Sequence, residues 1–171
     1  MKHFDYFAPT EIIFGAGRVT EAGALAARYG KKAMLVTVPE FPAVAELYAK
    51  VKKSLADAGV ACVHYDGVIP NPTTELVTRG AELAKAEGVD VVIGLGGGSS
   101  MDTAKAIAVE ATHPGTAWDY NCHTAGPTEQ TLPILAISTT AGTGSQTTPC
   151  AVITKTSAKD KSAIWNKNIL P

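Results

Sequence analysis

The sequence has few of the residues that build disulfide frameworks and metal sites. It contains 3 cysteines and 4 histidines in 171 residues. Cys62, Cys122 and Cys150 are odd in number and far apart, which argues against a disulfide framework and predicts a reducing compartment, most simply the cytoplasm. His113 and the Cys122-His123 pair form only a weak zinc pattern because a fourth ligand is missing. The sequence therefore predicts no metal site among these residues.

Long hydrophobic runs and an excess of one charge sign are also absent. No apolar stretch approaches the length of a membrane-spanning helix, and the first five residues do not resemble a signal peptide. A formal net charge of -1 offers no electrostatic attraction to nucleic acid or to anionic membranes. The Gly-x-Ser-x-Gly elbow of hydrolases and the Walker A loop are missing, and the Gly-x-Gly-x-x-Gly fingerprint is incomplete. What is present is the composition of a globular protein with one core, 46% hydrophobic and 18% charged.

The most informative stretch is residues 89–105. An apolar, β-branched run at 89–95 shows no alternation, which is typical of a buried strand in a parallel sheet. It ends in three glycines, 96–98, and a helix-forming segment follows. The N-terminus of such a helix directs unpaired N–H groups toward the turn, which favours an anion such as a nucleotide pyrophosphate. The alternative is a glycine turn needed only for tight packing, with Ser99 as the N-cap and Asp102 as its capping-box partner.

Strand-like and helix-like segments alternate along the chain. Strands are predicted at 10–14, 33–38, 60–65, 89–95 and 132–138, helices at 18–29, 43–58, 72–87 and 99–111, and extended runs at 150–154 and 161–170. This order predicts one α/β domain over residues 1–171, a doubly wound, Rossmann-like parallel sheet with helices on both faces. Asn71 is the predicted N-cap of the third helix, with Pro72 in its first turn. Ligands bind at the carboxyl ends of such strands, so the turns at 96–98 and 139–146 are expected to line one crevice.

The two turns and their order resemble the iron-containing (group III) alcohol dehydrogenases. The matching motifs are Ile13-Phe14-Gly15-x-Gly17, Asn71-Pro72, Gly96-Gly97-Gly98-Ser99-x-x-Asp102-x-x-Lys105, Thr139-Thr140-Ala141-Gly142-Thr143-Gly144-Ser145 and, beyond them, Lys161. The resemblance implies hydride transfer between NAD(P) and a small alcohol or aldehyde. It also implies an Fe²⁺ or Zn²⁺ ion that an aspartate and histidines hold in an all-helical domain. Because those ligands are expected beyond Pro171, these residues are expected to form the nucleotide-binding domain only and to be inactive alone.

The resemblance assigns the cofactor site to ten residues, namely Asn71, Gly97, Gly98, Ser99, Ser100, Asp102, Thr139, Thr140, Thr143 and Lys161. Backbone N–H groups of residues 97–100 are expected at the pyrophosphate, and the threonine hydroxyls at phosphate, ribose or nicotinamide. Threonines in turns also commonly bond only to local backbone. Asp102 is expected toward the nicotinamide, as the one candidate for a catalytic role, although it would suit the helix dipole in any case. Asn71 is expected either to contact the adenosine or to serve only as an N-cap. Lys161 is expected either to contact a phosphate or ribose or to lie solvated on the surface.

Two positions depart from the family pattern. Val38 stands at the end of a predicted strand where NAD-preferring relatives carry a ribose-binding aspartate, so NADP stays open beside NAD. Gln146 stands where the family usually has glutamate. A second function also stays open, a non-catalytic nucleotide-binding or oligomer-forming module, because these residues offer no metal ligand set. No nucleic acid or membrane partner is expected, and a homo-oligomer is among the options for the assembly.

Overall fold

A four-stranded parallel sheet is the centre of the computed structural model, which describes residues 3, 5 and 7–171. Its strands are β1 (Lys32–Val36), β2 (Ala61–Tyr65), β3 (Val91–Gly96) and β4 (Ile134–Ser138), and their order is β2-β1-β3-β4. The helices are α1 (Ala22–Ala26), α2 (Pro42–Asp57), α3 (Thr74–Glu87) and α4 (Gly98–Glu110). A separate antiparallel hairpin consists of β5 (Cys150–Lys155) and β6 (Asp160–Trp165). This architecture confirms the predicted α/β fold.

Each face of the sheet carries its own apolar cluster, because successive strand residues point to opposite faces. On one face Leu35 and Ile93 join a cluster with side chains of α1 and α2. On the other face Met34 and Val92 join a cluster with α3, α4 and the β5–β6 hairpin. Helices therefore cover both faces, as the sequence predicts. No helix within the described part of the chain is long and apolar enough to cross a membrane.

β3 lies inside the sheet and ends at the glycine turn. All residues of β3 are buried, which explains its continuous apolar character. Val36 at the end of β1 pairs with Gly94, and Gly96 at the end of β3 pairs with Ser138 of β4. The carboxyl ends of three strands therefore meet at one edge, next to the first turn of α4.

The chain before β1 differs from the prediction. The predicted strand at 10–14 is wrong, because residues 11–14 have no regular secondary structure and the Ile12 and Phe14 side chains are 67% and 90% exposed. Residues of high β propensity form a strand only where a neighbouring strand and a packing surface are available. The helix predicted over 18–29 is a 3₁₀ turn at Arg18–Glu21 followed by the short α1.

The start of α3 also differs. The N-cap is Thr73, and Asn71 lies outside the helix with a left-handed φ of 55°. The prediction of Asn71 as N-cap is therefore wrong, and Pro72 precedes the helix. The reason is a tertiary contact, since the Pro72 carbonyl accepts the Thr154 N–H at 2.8 Å and Thr73 forms a parallel bridge with Thr154. These bonds keep residues 72–73 extended against β5.

One close helix contact gives a stability prediction. The Gly23 N–H donates to Ser54 Oγ at 2.8 Å, and a Cβ at Gly23 would overlap the Ser54 carbonyl oxygen. We expect Gly23→Ala to lower the free energy of unfolding by about 3 kcal/mol, because α1 must move away from α2. Urea denaturation measures the loss. Gly142→Ala is the control, since its added Cβ meets no atom within 4 Å. Equal stability of the two variants would contradict the assigned contact.

Candidate functional site

A cavity of about 440 Å³ lies between the first turn of α4, the loop after β4 and the β5–β6 hairpin. Twelve residues line it: Asn71, Pro72, Gly98, Ser99, Asp102, Thr143, Ser145, Thr148, Cys150, Val152, Lys161 and Trp165. Six of them are among the ten predicted site residues, namely Asn71, Gly98, Ser99, Asp102, Thr143 and Lys161. The cavity therefore unites predicted site residues that lie up to 90 positions apart in the sequence, Asn71 and Lys161.

Two glycines of the turn after β3 differ in what surrounds them. A Cβ on Gly98 would lie 2.9 Å from Thr143 Cγ2, so this glycine lets the two polar turns meet. A Cβ on Gly97 would meet only Thr140 Oγ1, at 3.7 Å. Packing therefore explains Gly98 but does not require a glycine at position 97. A side chain at position 97 would therefore meet little of the protein, although Gly97 itself is not among the residues that line the cavity.

The N-terminus of α4 has no side-chain cap. Its N-cap is Gly97, so the alternative with Ser99 as N-cap and Asp102 as capping-box partner is wrong. The N–H groups of Gly98 and Ser99 precede the first helical hydrogen bonds and have no partner within the helix. The Ser100 N–H donates to the Gly97 carbonyl at 3.1 Å, and Ser100 is 1% exposed. The Ser100 N–H therefore has a partner within the turn, and its predicted contact with a phosphate stays a prediction.

The second polar turn lies beside the first, as the sequence predicts. The Thr139 N–H donates to the Gly96 carbonyl at 3.0 Å, which fixes the start of this turn against the end of β3. Thr139 and Thr140 are exposed and lie outside the cavity lining, whereas Thr143 is part of it. Gln146 follows with its Oε1 buried and without a hydrogen-bond partner in the described chain.

Asp102 joins α4 to the far wall of the cavity. Its Oδ1 accepts the Ser145 hydroxyl at 2.7 Å, and its Oδ2 accepts the Val152 N–H at 3.1 Å. Both partners line the cavity. The carboxylate therefore has protein donors from the loop and from β5, and it orients groups of the wall.

Lys105 is the residue whose role the sequence did not reveal. It is fully buried, and its Nζ donates to the carbonyl oxygens of Ser145, Thr148 and Cys150 at 2.7, 2.8 and 2.8 Å. Burial lowers the pKa of Lys105 to about 8, while the neighbouring Asp102 carboxylate opposes this shift. A signal existed, since Lys105 is the one charged residue in the otherwise apolar run 104–109 of a helix.

Asn71 and Lys161 meet at the rim of the cavity. Lys161 Nζ donates to Asn71 Oδ1 at 2.8 Å, although the two residues come from the loop before α3 and from β6. Both residues are exposed. A cationic side chain therefore lines the same cavity as the N-terminus of α4.

His113, one residue of the weak zinc pattern, has a structural role. His113 Nε2 accepts the Thr128 N–H at 3.0 Å, and Nδ1 lies 2.9 Å from the Val109 carbonyl, which requires the proton on Nδ1. Both ring nitrogens are thus engaged by the protein. Within residues 3, 5 and 7–171, no three His, Cys, Asp or Glu side chains form a group that could hold a metal ion.

The fold and the position of the cavity define a Rossmann-like α/β domain with a cavity at the carboxyl edge of its sheet, where ligands of such sheets bind. The family described as iron-containing alcohol dehydrogenase matches residues 9–171. The chain belongs to the iron-containing alcohol dehydrogenase family.

Individual relatives agree in sequence and in structure. The chain is 46% identical over 158 residues to choline dehydrogenase of Bacillus subtilis, a match covering 90% of this chain and 39% of the relative. It is 40% identical over 167 residues to alcohol dehydrogenase 4 of Schizosaccharomyces pombe, covering 97% and 39%.

Among solved structures, the chain is similar to an archaeal halo-thermophilic alcohol dehydrogenase from a Red Sea brine pool. The TM-score is 0.93 at 41% identity, covering 100% of this chain and 45% of that chain. NADH-dependent butanol dehydrogenase A from Thermotoga maritima has a TM-score of 0.91 at 33% identity, covering 100% and 43%. The chain thus spans less than half the length of these relatives.

Proposed function

We propose that this chain is the nucleotide-binding domain of an NAD(P)-dependent dehydrogenase that interconverts a small alcohol and its aldehyde. The open space at Gly97 carries the proposal, because packing does not require a glycine there. This space adjoins the unpaired N–H groups at the start of α4, where a dipole favours an anion.

We infer that the described residues hold a dinucleotide from its pyrophosphate to its nicotinamide. The N–H groups of Gly98 and Ser99 would hold the pyrophosphate, and the Thr143 hydroxyl lies close enough to Gly98 to assist. Lys161 and Asn71 would offer a cation and an amide from the opposite rim. Asp102 would orient the wall toward the nicotinamide through its bonds to the loop and to β5. When bound, the nicotinamide supplies the hydride chemistry.

The metal of the family is a different case. The described residues contain no cluster that fits an Fe²⁺ or Zn²⁺ ion, so these residues support no metal-dependent step. The names of relatives in this family refer to butanol, methanol and 1,3-propanediol, which supports a small alcohol as substrate class. A cytoplasmic location and a homo-oligomer stay predictions from the sequence and the resemblance.

Tryptophan fluorescence tests the proposal. Trp165 lines the cavity and is 61% exposed, and Trp118 is the other tryptophan of the chain. In a Trp118→Phe background, titration with NADH and NADPH should therefore quench a single reporter at the site. Saturable quenching is the expected result. Unchanged Trp165 fluorescence together with no heat of binding in calorimetry would overturn the proposed function.

Cofactor preference is tested at Val38. Register places the end of β1 beside the glycine turn, and the Val38 side chain is half-buried without a carboxylate to read a ribose. We expect NADP to bind at least as well as NAD. Val38→Asp should shift the preference toward NAD by roughly ten- to a hundredfold, because the carboxylate repels a 2′-phosphate. Calorimetric affinities for both nucleotides measure the shift.

Val38→Asn is the matched control, because it has the same size and hydrogen-bonding reach without the charge. It should shift the ratio of the two affinities much less than Val38→Asp. The Thr37 and Tyr48 hydroxyls hold the Val38 carbonyl at 2.7 and 3.3 Å, so the backbone should stay in place in both variants. Strong NAD selectivity of the wild type would show that another residue reads the ribose.

A further inference from the structure

The buried ammonium group of Lys105 donates hydrogen bonds to backbone carbonyls in one wall of the cavity. Its Nζ donates to the carbonyls of Ser145, Thr148 and Cys150, and lies 3.2 Å from Ser145 Oγ. We infer that Lys105 is a positioning residue of the nucleotide site, which sets the shape of segment 145–150 that the nucleotide contacts. This inference rests on the proposed function.

The segment has little regular structure of its own. It contains a three-residue 3₁₀ turn, Ser145–Thr147, before β5 begins at Cys150. Three of its residues, Ser145, Thr148 and Cys150, line the cavity, and the carbonyls of the same three residues accept from Lys105. The shape of this wall therefore depends on a side chain that belongs to α4.

Asp102 and Lys105 act on the segment from one face of α4, since residues three apart are neighbours on a helix. Asp102 accepts the Ser145 hydroxyl and the Val152 N–H, while Lys105 donates to the carbonyls between them. The carboxylate also compensates the buried ammonium. The pair thus links α4 to residues 145–152, since the lysine donates hydrogen bonds to this segment and the aspartate accepts them.

A purely structural role would not need a lysine. Burying an ammonium group carries a desolvation cost, and an apolar side chain of similar length would avoid it. The ammonium group brings three N–H donors, which an apolar side chain lacks, and they match the three carbonyls of the segment. The chemistry at this position therefore suits control of loop shape better than filling of the core.

The test compares Lys105→Met with Ile107→Ala in the Trp118→Phe background. Methionine has a similar length but no donors. Ile107 lies fully buried on the same helix, and its side chain is close to Gly80 of α3. We expect Lys105→Met to unfold cooperatively and to bind NADH at least about tenfold more weakly. Ile107→Ala should lower the free energy of unfolding, because the truncated side chain leaves a void in the core, but its affinity for NADH should stay within about twofold of the wild type.

A pH series adds a readout that a structural role would not move. The pKa of Lys105 is about 8 in the folded chain against 10.5 ordinarily, so the folded state releases this proton first. The Lys105 contribution to stability therefore rises with pH between these values. Nucleotide affinity should instead fall above pH 8, because the neutral amine loses one donor.

The groups facing Lys105 do not account for such a fall near pH 8. Asp102 is the neighbouring carboxylate, and burial and then Asp102 raise the pKa of the Cys150 thiol above its ordinary 9.0. Affinity and the Lys105 contribution to stability should consequently change in opposite directions. The fall in affinity near pH 8 should disappear in Lys105→Met.

Each outcome has a distinct meaning. If the wild type binds and Lys105→Met binds equally well, Lys105 has no positioning role while the proposed function stands. If the wild type binds neither NADH nor NADPH, the proposed function and this inference are both overturned. If Lys105→Met does not fold, Lys105→Gln takes its place, since glutamine is polar but carries no ammonium group, and an affinity for NADH equal to that of the wild type overturns the inference.

Discussion

Gly97→Val is expected to abolish nucleotide binding and to leave the fold cooperative. The backbone at Gly97 is extended, with φ −82° and ψ −169°, a conformation that valine adopts without strain. An added Cβ meets only Thr140 Oγ1, at 3.7 Å. The substituted side chain would instead fill the space in front of the Gly98 and Ser99 N–H groups. A phosphate could then no longer reach them.

In Gly97→Val the expected loss of nucleotide affinity is much larger than the expected loss of stability. We expect the affinity for NADH to fall by more than about a hundredfold. The free energy of unfolding should fall by about 1 kcal/mol, because valine is a poorer N-cap than glycine. Calorimetry and urea denaturation on the same preparation measure both quantities.

Gly97→Ala is the graded control, since its single methyl group should weaken binding less than valine does. Gly98→Val is less informative, because its Cβ would lie 2.9 Å from Thr143 and would disturb both turns. An unchanged affinity in folded Gly97→Val would show that the turn serves packing alone.

A protein consisting of these 171 residues is expected to show no alcohol dehydrogenase activity, with or without added Fe²⁺. A metal that activates an alcohol needs several side-chain ligands and an open position. The described residues contain no such group, and His113 uses both ring nitrogens within the protein. Bound NAD alone would lack the group that lowers the pKa of the alcohol.

The assay follows NADH absorbance with a primary alcohol as substrate. A full-length relative under the same conditions serves as the positive control, and a titration of NAD confirms that the chain is folded and loaded. Turnover that persists in the presence of a chelator would contradict the prediction and would indicate a metal-free mechanism.

Local sequence was sufficient for the centre of the fold. The run 91–95 is apolar because both faces of β3 are covered, and the glycines end it where α4 begins. These features depend on propensity and periodicity, which act over a few residues. The same local pattern placed the two polar turns at one edge of the sheet, and the structure confirms their proximity.

Local sequence failed where a distant partner decides the conformation. Residues 10–14 have the composition of a strand but no neighbouring strand among the described residues, so they stay irregular. Asn71 has the residue type of an N-cap, but bonds to Thr154 keep the chain extended until Thr73. In both cases long-range pairing outweighs propensity.

Residue patterns were therefore enough to predict the parallel sheet, the glycine turn and six of the twelve residues that line the cavity. The long-range contacts of these residues follow from the three-dimensional fold. It gave Asp102 and Lys105 their partners in segment 145–152, up to 50 residues away. It also showed that Gly98 is needed for packing while Gly97 is not. The physical reason is that a buried charge is tolerated only with donors and acceptors in place, and these come from remote parts of the chain.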